Sequence, residues 1–246
     1  MITKTELDKF VHTYETTDFI KDDPVQFPHR FTDKKDIEIA GFIASLLAYG
    51  NRKVFIKKLD SLFEIAQNEP LNFILNFEPE ILGDFNYRFG KTSDFAEIFT
   101  VLRRLYEKDG GLEELFKYGF LQSAGSEFLP VCDYFYSQFP QNSDGAKFMV
   151  PNPKNGGAMK RMCMFLRWMV RKGPVDLGVW DSIKPSQLYI PLDTHVARIS
   201  RETGLLSRNS NDFKAVLEIT ENLRQFDPDD PVKYDFALFG YGVNNK

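Results

Sequence analysis

Cysteine is nearly absent: Cys132 and Cys163 are the only two in 246 residues. That excludes a disulfide framework and any cysteine-bound zinc or iron–sulfur site, and a reduced, cytoplasmic location is the expectation. Histidine is equally sparse. His12, His29 and His195 are scattered, and no cluster of carboxylates or histidines reads as a metal site. Neither a metal nor a cofactor is therefore expected. No uncharged run approaches the roughly 18 residues that span a bilayer. The N-terminal MITKTELDKF carries charge from its fourth residue and lacks an apolar signal core, so no membrane partner is expected.

What is present is apolar and aromatic. At 43% hydrophobic residues, with 24 phenylalanines, the chain can bury a core as one large domain or two lobes. The apolar spacing is helical nearly throughout. Thr3 and Glu6 form a capping box ahead of Leu7, Phe10, Val11 and Tyr14. Pro24 and Pro28 break the connector DDPVQFPHRF. Helical stripes follow at Ile39–Leu47, Phe55–Ala66, Leu71–Leu75, Phe95–Tyr106 and Phe128–Phe139, the last ended by Pro140. Phe213–Leu223 and a closing helix that Asp230 caps, with Pro231 at its first position, complete the set. Only Lys147–Val150 and Leu188–Ile190 look extended. The spacing predicts an all-α protein of about ten helices.

Net charge is −4, which alone argues against a nucleic-acid partner. Its distribution argues the other way. Gly145 to Val175 contains no acid but carries Lys147, Lys154, Lys160, Arg161, Arg167, Arg171 and Lys172, a local positive surface suited to a phosphate backbone. An ordinary solvated helix face is the plainer account of such a run.

The chemistry concentrates between Asn155 and Ile199. The pair Gly156-Gly157 opens a helix beginning near Lys160, and free backbone N–H groups at a helix start suit a phosphate. The positive end of the helix dipole disfavours a protonated Lys160, so in a partly dehydrated cleft the amine is suited to nucleophilic attack. Asp193, at the mouth of the next helical pattern, is placed to cap it, to steer that amine and to stabilise a developing cation. Each has a plainer reading, as a surface lysine and an N-cap.

These residues carry a resemblance. GGAMKRM followed by PLDTHVARI resembles the helix-hairpin-helix DNA glycosylase superfamily, which includes endonuclease III and 8-oxoguanine DNA glycosylase. Its pattern is a Gly-x-Gly hairpin, a catalytic lysine and a later (V/L)-Asp-x-His, matched here by Gly156, Lys160, Asp193 and His195. Ala158 replaces the second hairpin glycine. SLLAYGNRKV resembles the helix end whose asparagine fills the gap left by an extruded base, which falls on Asn51, followed by Arg52. YDFALFG resembles the late helix whose phenylalanine stacks on that base, which falls on Phe239. A closer resemblance is to an uncharacterised bacterial family that ends its last helix in DPVKYDFALFG.

The resemblance implies a bifunctional base-excision repair glycosylase and AP lyase that removes an oxidised purine such as 8-oxoguanine from double-stranded DNA. The base must first leave the stack. Lys160 would form a Schiff base at C1′, assisted by Asp193, with Met164, Asp235 and Phe239 lining the base pocket. An acid at Asp235 would accept from a purine N–H. Lys154, Gly156, Gly157, Arg161 and His195, with Asn51 and Arg52, would hold the DNA, and a monomer associated with the nucleoid is expected.

The architecture implied is a two-lobed, all-α helix-hairpin-helix glycosylase-like fold with a central cleft. Residues 37–172 would form the central lobe with the hairpin, and residues 1–36 plus 190–246 the second. Residues 173–189 would be a connecting insertion, a loop or short hairpin that either presents Trp180 to the cleft or packs it. Lys160 and Asp193 would then face each other from opposite lobes. The alternatives are a non-catalytic nucleic-acid-binding module on the same fold, against which the lysine–aspartate pair speaks, and a nuclease, which lacks its metal-binding carboxylates.

Overall fold

The computed structural model of the chain describes residues 2–123, 128–139 and 142–245. Pro140, expected to end a helix, lies outside the described residues. Helix is the only regular secondary structure among the described residues, with isolated bridges but no strand. None of its helices is long and apolar enough to cross a membrane.

Contacts divide it into two compact units, Met1–Asp22 with Lys154–Lys246, and Asp23–Pro153. These boundaries differ from the expected breaks at 36/37 and 172/173, for two local reasons. Phe27 stacks on Phe63 at 5.3 Å between centroids, which ties the proline-rich connector to the helices that follow it. The glycine hairpin instead bonds forward: the Phe213 N–H donates to the Gly156 carbonyl at 3.0 Å, and Gly157 bridges to Asp212.

The first helix, α1 (Lys4–Tyr14), starts at the expected capping box, with Thr3 and Glu6 bonded reciprocally. The unit 23–153 holds α2 (Lys34–Leu47), α3 (Arg52–Ile65), α4 (Pro70–Leu75), α5 (Thr92–Lys108), α6 (Leu112–Gln122), α7 (Phe128–Ser137) and α8 (Asp144–Met149). Phenylalanines are prominent in its core: Phe135 meets Phe42, Phe116 and Phe139, and Phe42 also meets Phe139. Lys147–Val150 is not extended: residues 147–149 belong to α8, whose cap Ser143 accepts from the Ala146 N–H while donating to Asp94.

The other unit adds α9 (Lys160–Val170), α10 (Thr194–Glu202), α11 (Phe213–Arg224) and α12 (Tyr234–Asn244). α12 packs between α1 and α10, and glycine makes the close approach possible. A Cβ on Gly242 would lie 3.0 Å from His195 Cβ and from Ile199. Phe19 lies edge-to-face with Phe236 and Phe239, which ties the segment after α1 to α12 in this unit. The expected insertion folds back on α9. Leu177 and Gly178 donate to the Trp168 carbonyl and Trp180 to that of Met169. Trp180 is fully buried, its ring edge-on to Phe165 at 5.4 Å, so it is a packing residue.

Candidate active site around Lys160 and Asp193

The N-terminus of α9 is built by the hairpin. Gly156 has φ +72°, a left-handed conformation that favours glycine, and Met159 at φ +51° makes the last turn into the helix. Nothing lies within 4 Å of where a Cβ would stand on Gly156 or Gly157. Both glycines, Asn155 and Lys154 are exposed, and Ala158 is half-buried. Lys160 is the first residue of α9, its side chain 38% exposed.

Asp193 is the N-cap of α10, as its position suggested: Oδ1 accepts from the Val196 N–H at 2.8 Å. The other oxygen, Oδ2, stands 4.0 Å from Lys160 Nζ. That distance is ion-pair contact and exceeds hydrogen-bond reach, which leaves the amine free to turn toward an electrophile. Both residues lie in the unit Lys154–Lys246 rather than on opposite lobes, since the hairpin that carries Lys160 is bonded to the start of α11.

α9 spaces a stripe of chemistry along one face. Lys160, Met164, Arg167 and Arg171 recur at helical intervals of four, three and four. Met164 is buried one turn past the lysine. Arg167 and Arg171 are buried too, which corrects the expectation that the basic run is a continuous positive surface. Burial forces them to pair. Arg167 Nε donates to Asp176 at 3.1 Å and its Nη1 to Asp235 Oδ2. Arg171 holds Asp176 at 2.9 Å, Asp230 at 2.7 Å and both oxygens of Glu15. Asp230 is thereby drawn from its expected capping role, and a 3₁₀ turn at Pro231–Lys233 precedes α12. Lys147 belongs to the other unit, and Lys172 pairs with Asp181 at 3.0 Å.

α12 presents Asp235 and Phe239 one turn apart. Asp235 is 6% exposed, and its Oδ1 is buried with no hydrogen-bond partner among the described residues. Burial pushes its carboxyl up to about 7; Arg167 and Lys160 pull it down, while Asp193 and Asp176 push it further up. The charges of Lys160 and Asp193 therefore both act on this carboxyl. Phe239 is half-buried and edge-on to His195 at 5.9 Å. The His195 Nδ1–H donates to the Gly242 carbonyl at 3.1 Å, so that nitrogen ties α10 to α12. Arg161 is half-buried beside Lys160.

Asn51 and Arg52 belong to the other unit. Asn51 caps α3 through the Val54 N–H at 3.3 Å, and both side chains are exposed. Among the described residues no group of three or more His, Cys, Asp or Glu could hold a metal ion. Sequence reading missed Arg167, Asp176 and Arg171 as parts of the site. The available signal was two arginines four apart, Arg167 and Arg171, at the end of a helix whose run from Met162 to Val170 is otherwise apolar, which requires buried acids nearby.

A family model described as "Protein of unknown function (DUF2400)" matches residues 23–244, and the chain belongs to that family. It matches no curated protein and no solved structure.

Proposed function

We propose that this member of the DUF2400 family removes a damaged base from duplex DNA and then cuts the strand, with Lys160 as nucleophile. The observation that carries the reading is Lys160 Nζ standing 4.0 Å from Asp193 Oδ2, at the adjoining starts of two helices. In this reading the Lys160 amine attacks C1′ of the extruded nucleotide. The C1′–N bond breaks, and the base leaves with the bonding pair and takes up a proton. The attacking nitrogen loses one proton, the C1′–O4′ bond breaks with O4′ taking up a proton, and the nitrogen lone pair closes a protonated Schiff base at C1′. Loss of a C2′ proton then expels the 3′ phosphate by β-elimination. Asp193 steers the amine and balances the positive charge at the sugar.

Asp235 and Phe239 support an oxidised purine, 8-oxoguanine or a relative, as the base removed. A buried carboxylate oxygen without a partner accepts an N–H from the base edge, and a half-buried ring beside it offers a stacking face. Lys154, Gly156, Gly157 and Arg161 would meet the phosphates beside the lesion, with His195 flanking the pocket. Asn51 and Arg52 are proposed as further DNA contacts on the resemblance alone, and helix-hairpin-helix glycosylase-like architecture, action as a monomer and a nucleoid-associated cytoplasmic location belong to the same proposal.

The test is strand scission of duplexes carrying 8-oxoguanine or an abasic site. The expected result is a β-elimination product that disappears in Lys160→Ala while duplex binding persists. Binding without scission on either lesion points instead to a non-catalytic nucleic-acid-binding module.

A further inference from the structure

Behind the Lys160–Asp193 pair runs a buried row of alternating charges. It starts at Glu15, the C-cap of α1, and passes through Arg171, Asp176 and Arg167 to Asp235 on α12. Asp230 joins at Arg171, so four carboxylates share two guanidiniums. Both arginines lie over the Phe236 ring, at 4.2 and 5.7 Å from its centroid, which fixes the two forks in place. Asp176 is the hinge of the row: one oxygen takes Arg167 and the other Arg171, and its side chain is wholly buried. The result at the inner end is a carboxylate held by one oxygen only.

We propose that Asp176, carried by the segment between α9 and α10, is a positioning residue for the site: by sharing Arg167 it keeps Asp235 incompletely paired, with one oxygen left to accept an N–H from the ligand. The ligand part of this statement rests on the base-excision reading; the electrostatic part does not. It gives the long segment between Lys160 and Asp193 a task, since that segment delivers Asp176 to Arg167.

Asp235 is bonded to Arg167 on α9, and the groups that act on it electrostatically include Lys160 and Cys163 on α9, Asp176 on the following segment and Asp193 at the start of α10. Removing the Asp176 charge has two effects of one sign. It takes away a repelling carboxylate, and it removes a competitor of Asp235 for the Arg167 guanidinium. Both favour the ionised form, so Asp235 must titrate at lower pH.

The experiment follows the Asp235 carboxyl by ¹³C NMR in the full chain, assigned with Asp235→Asn. Asp176→Asn is expected to lower the midpoint by about one pH unit or more, a tenfold change in the proton equilibrium, while Asp176→Glu keeps it. Glu15→Gln, at the outer end of the row, moves it the same way by a smaller step and decides the matter where Asp176→Asn does not fold. A midpoint unchanged in the folded variants, with only the melting temperature lowered, overturns the proposal. Single-turnover base release should show its pH limb moving in parallel. No release by the wild type, with the titration shift intact, removes the glycosylase reading and leaves the positioning role standing.

Discussion

Asp193 performs two tasks on separate oxygens, one capping α10 and one facing Lys160. Asp193→Asn keeps an amide oxygen for the cap and loses the charge. It should cost no more than about 1 kcal/mol of stability yet lower strand scission by about a hundredfold or more; thermal melts beside single-turnover cleavage separate the two effects. Asp235 gives a second residue-level expectation. Its carboxyl is raised to about 7, so the folded chain holds a proton that the unfolded chain releases near pH 4. Its contribution to stability is full below that unfolded value and is lost as pH rises toward 7, by up to about 1.4 kcal/mol per pH unit. Melts from pH 4.5 to 7.5 should lose this downward component in Asp235→Asn, and an identical profile in the variant would contradict the assignment. The lysine and aspartate were legible because a glycine-led helix start and an N-cap are local patterns. The pairing of Arg167 with Asp235 was not, because the two lie 68 positions apart.

Among elements, the hairpin before α9 is the informative one. Gly156 needs its left-handed backbone, so Gly156→Ala should destabilise by about 1 kcal/mol through conformation alone, with no clash. Gly157 has neither a positive φ nor a neighbour within 4 Å of a Cβ, so Gly157→Ala should leave the melting temperature unchanged. If the hairpin backbone approaches a phosphate, that same variant weakens duplex binding several-fold; unchanged affinity would remove the hairpin from the DNA interface. Helices with long stripes and local caps, such as α1, α2 and α11, were readable in advance. α6 falls outside the stripes that the spacing marks, and α8 overlaps Lys147–Val150, whose sequence looks extended. α8 is only six residues long, and its cap is held by Asp94 from 49 positions away. Nonlocal contacts fix such elements.

For the whole molecule, the acid-free stretch does not become one positive face, because its two central arginines turn inward. The all-helical class was visible in the periodicity; the division into units was not, since it depends on the bonds from Gly156 to Phe213 and from Trp180 to Met169. Arg167→Met strands Asp235 and Asp176 without that guanidinium and should cost about 3–5 kcal/mol, measurable as a lower midpoint in urea. The central claim is covalent chemistry at Lys160. Borohydride reduction during incubation with a duplex containing 8-oxoguanine or an abasic site, followed by peptide mass mapping, tests it most directly. The account predicts a protein–DNA adduct on Lys160 that is lost in Lys160→Ala; no adduct on either substrate, or an adduct on another lysine that survives the substitution, would contradict it.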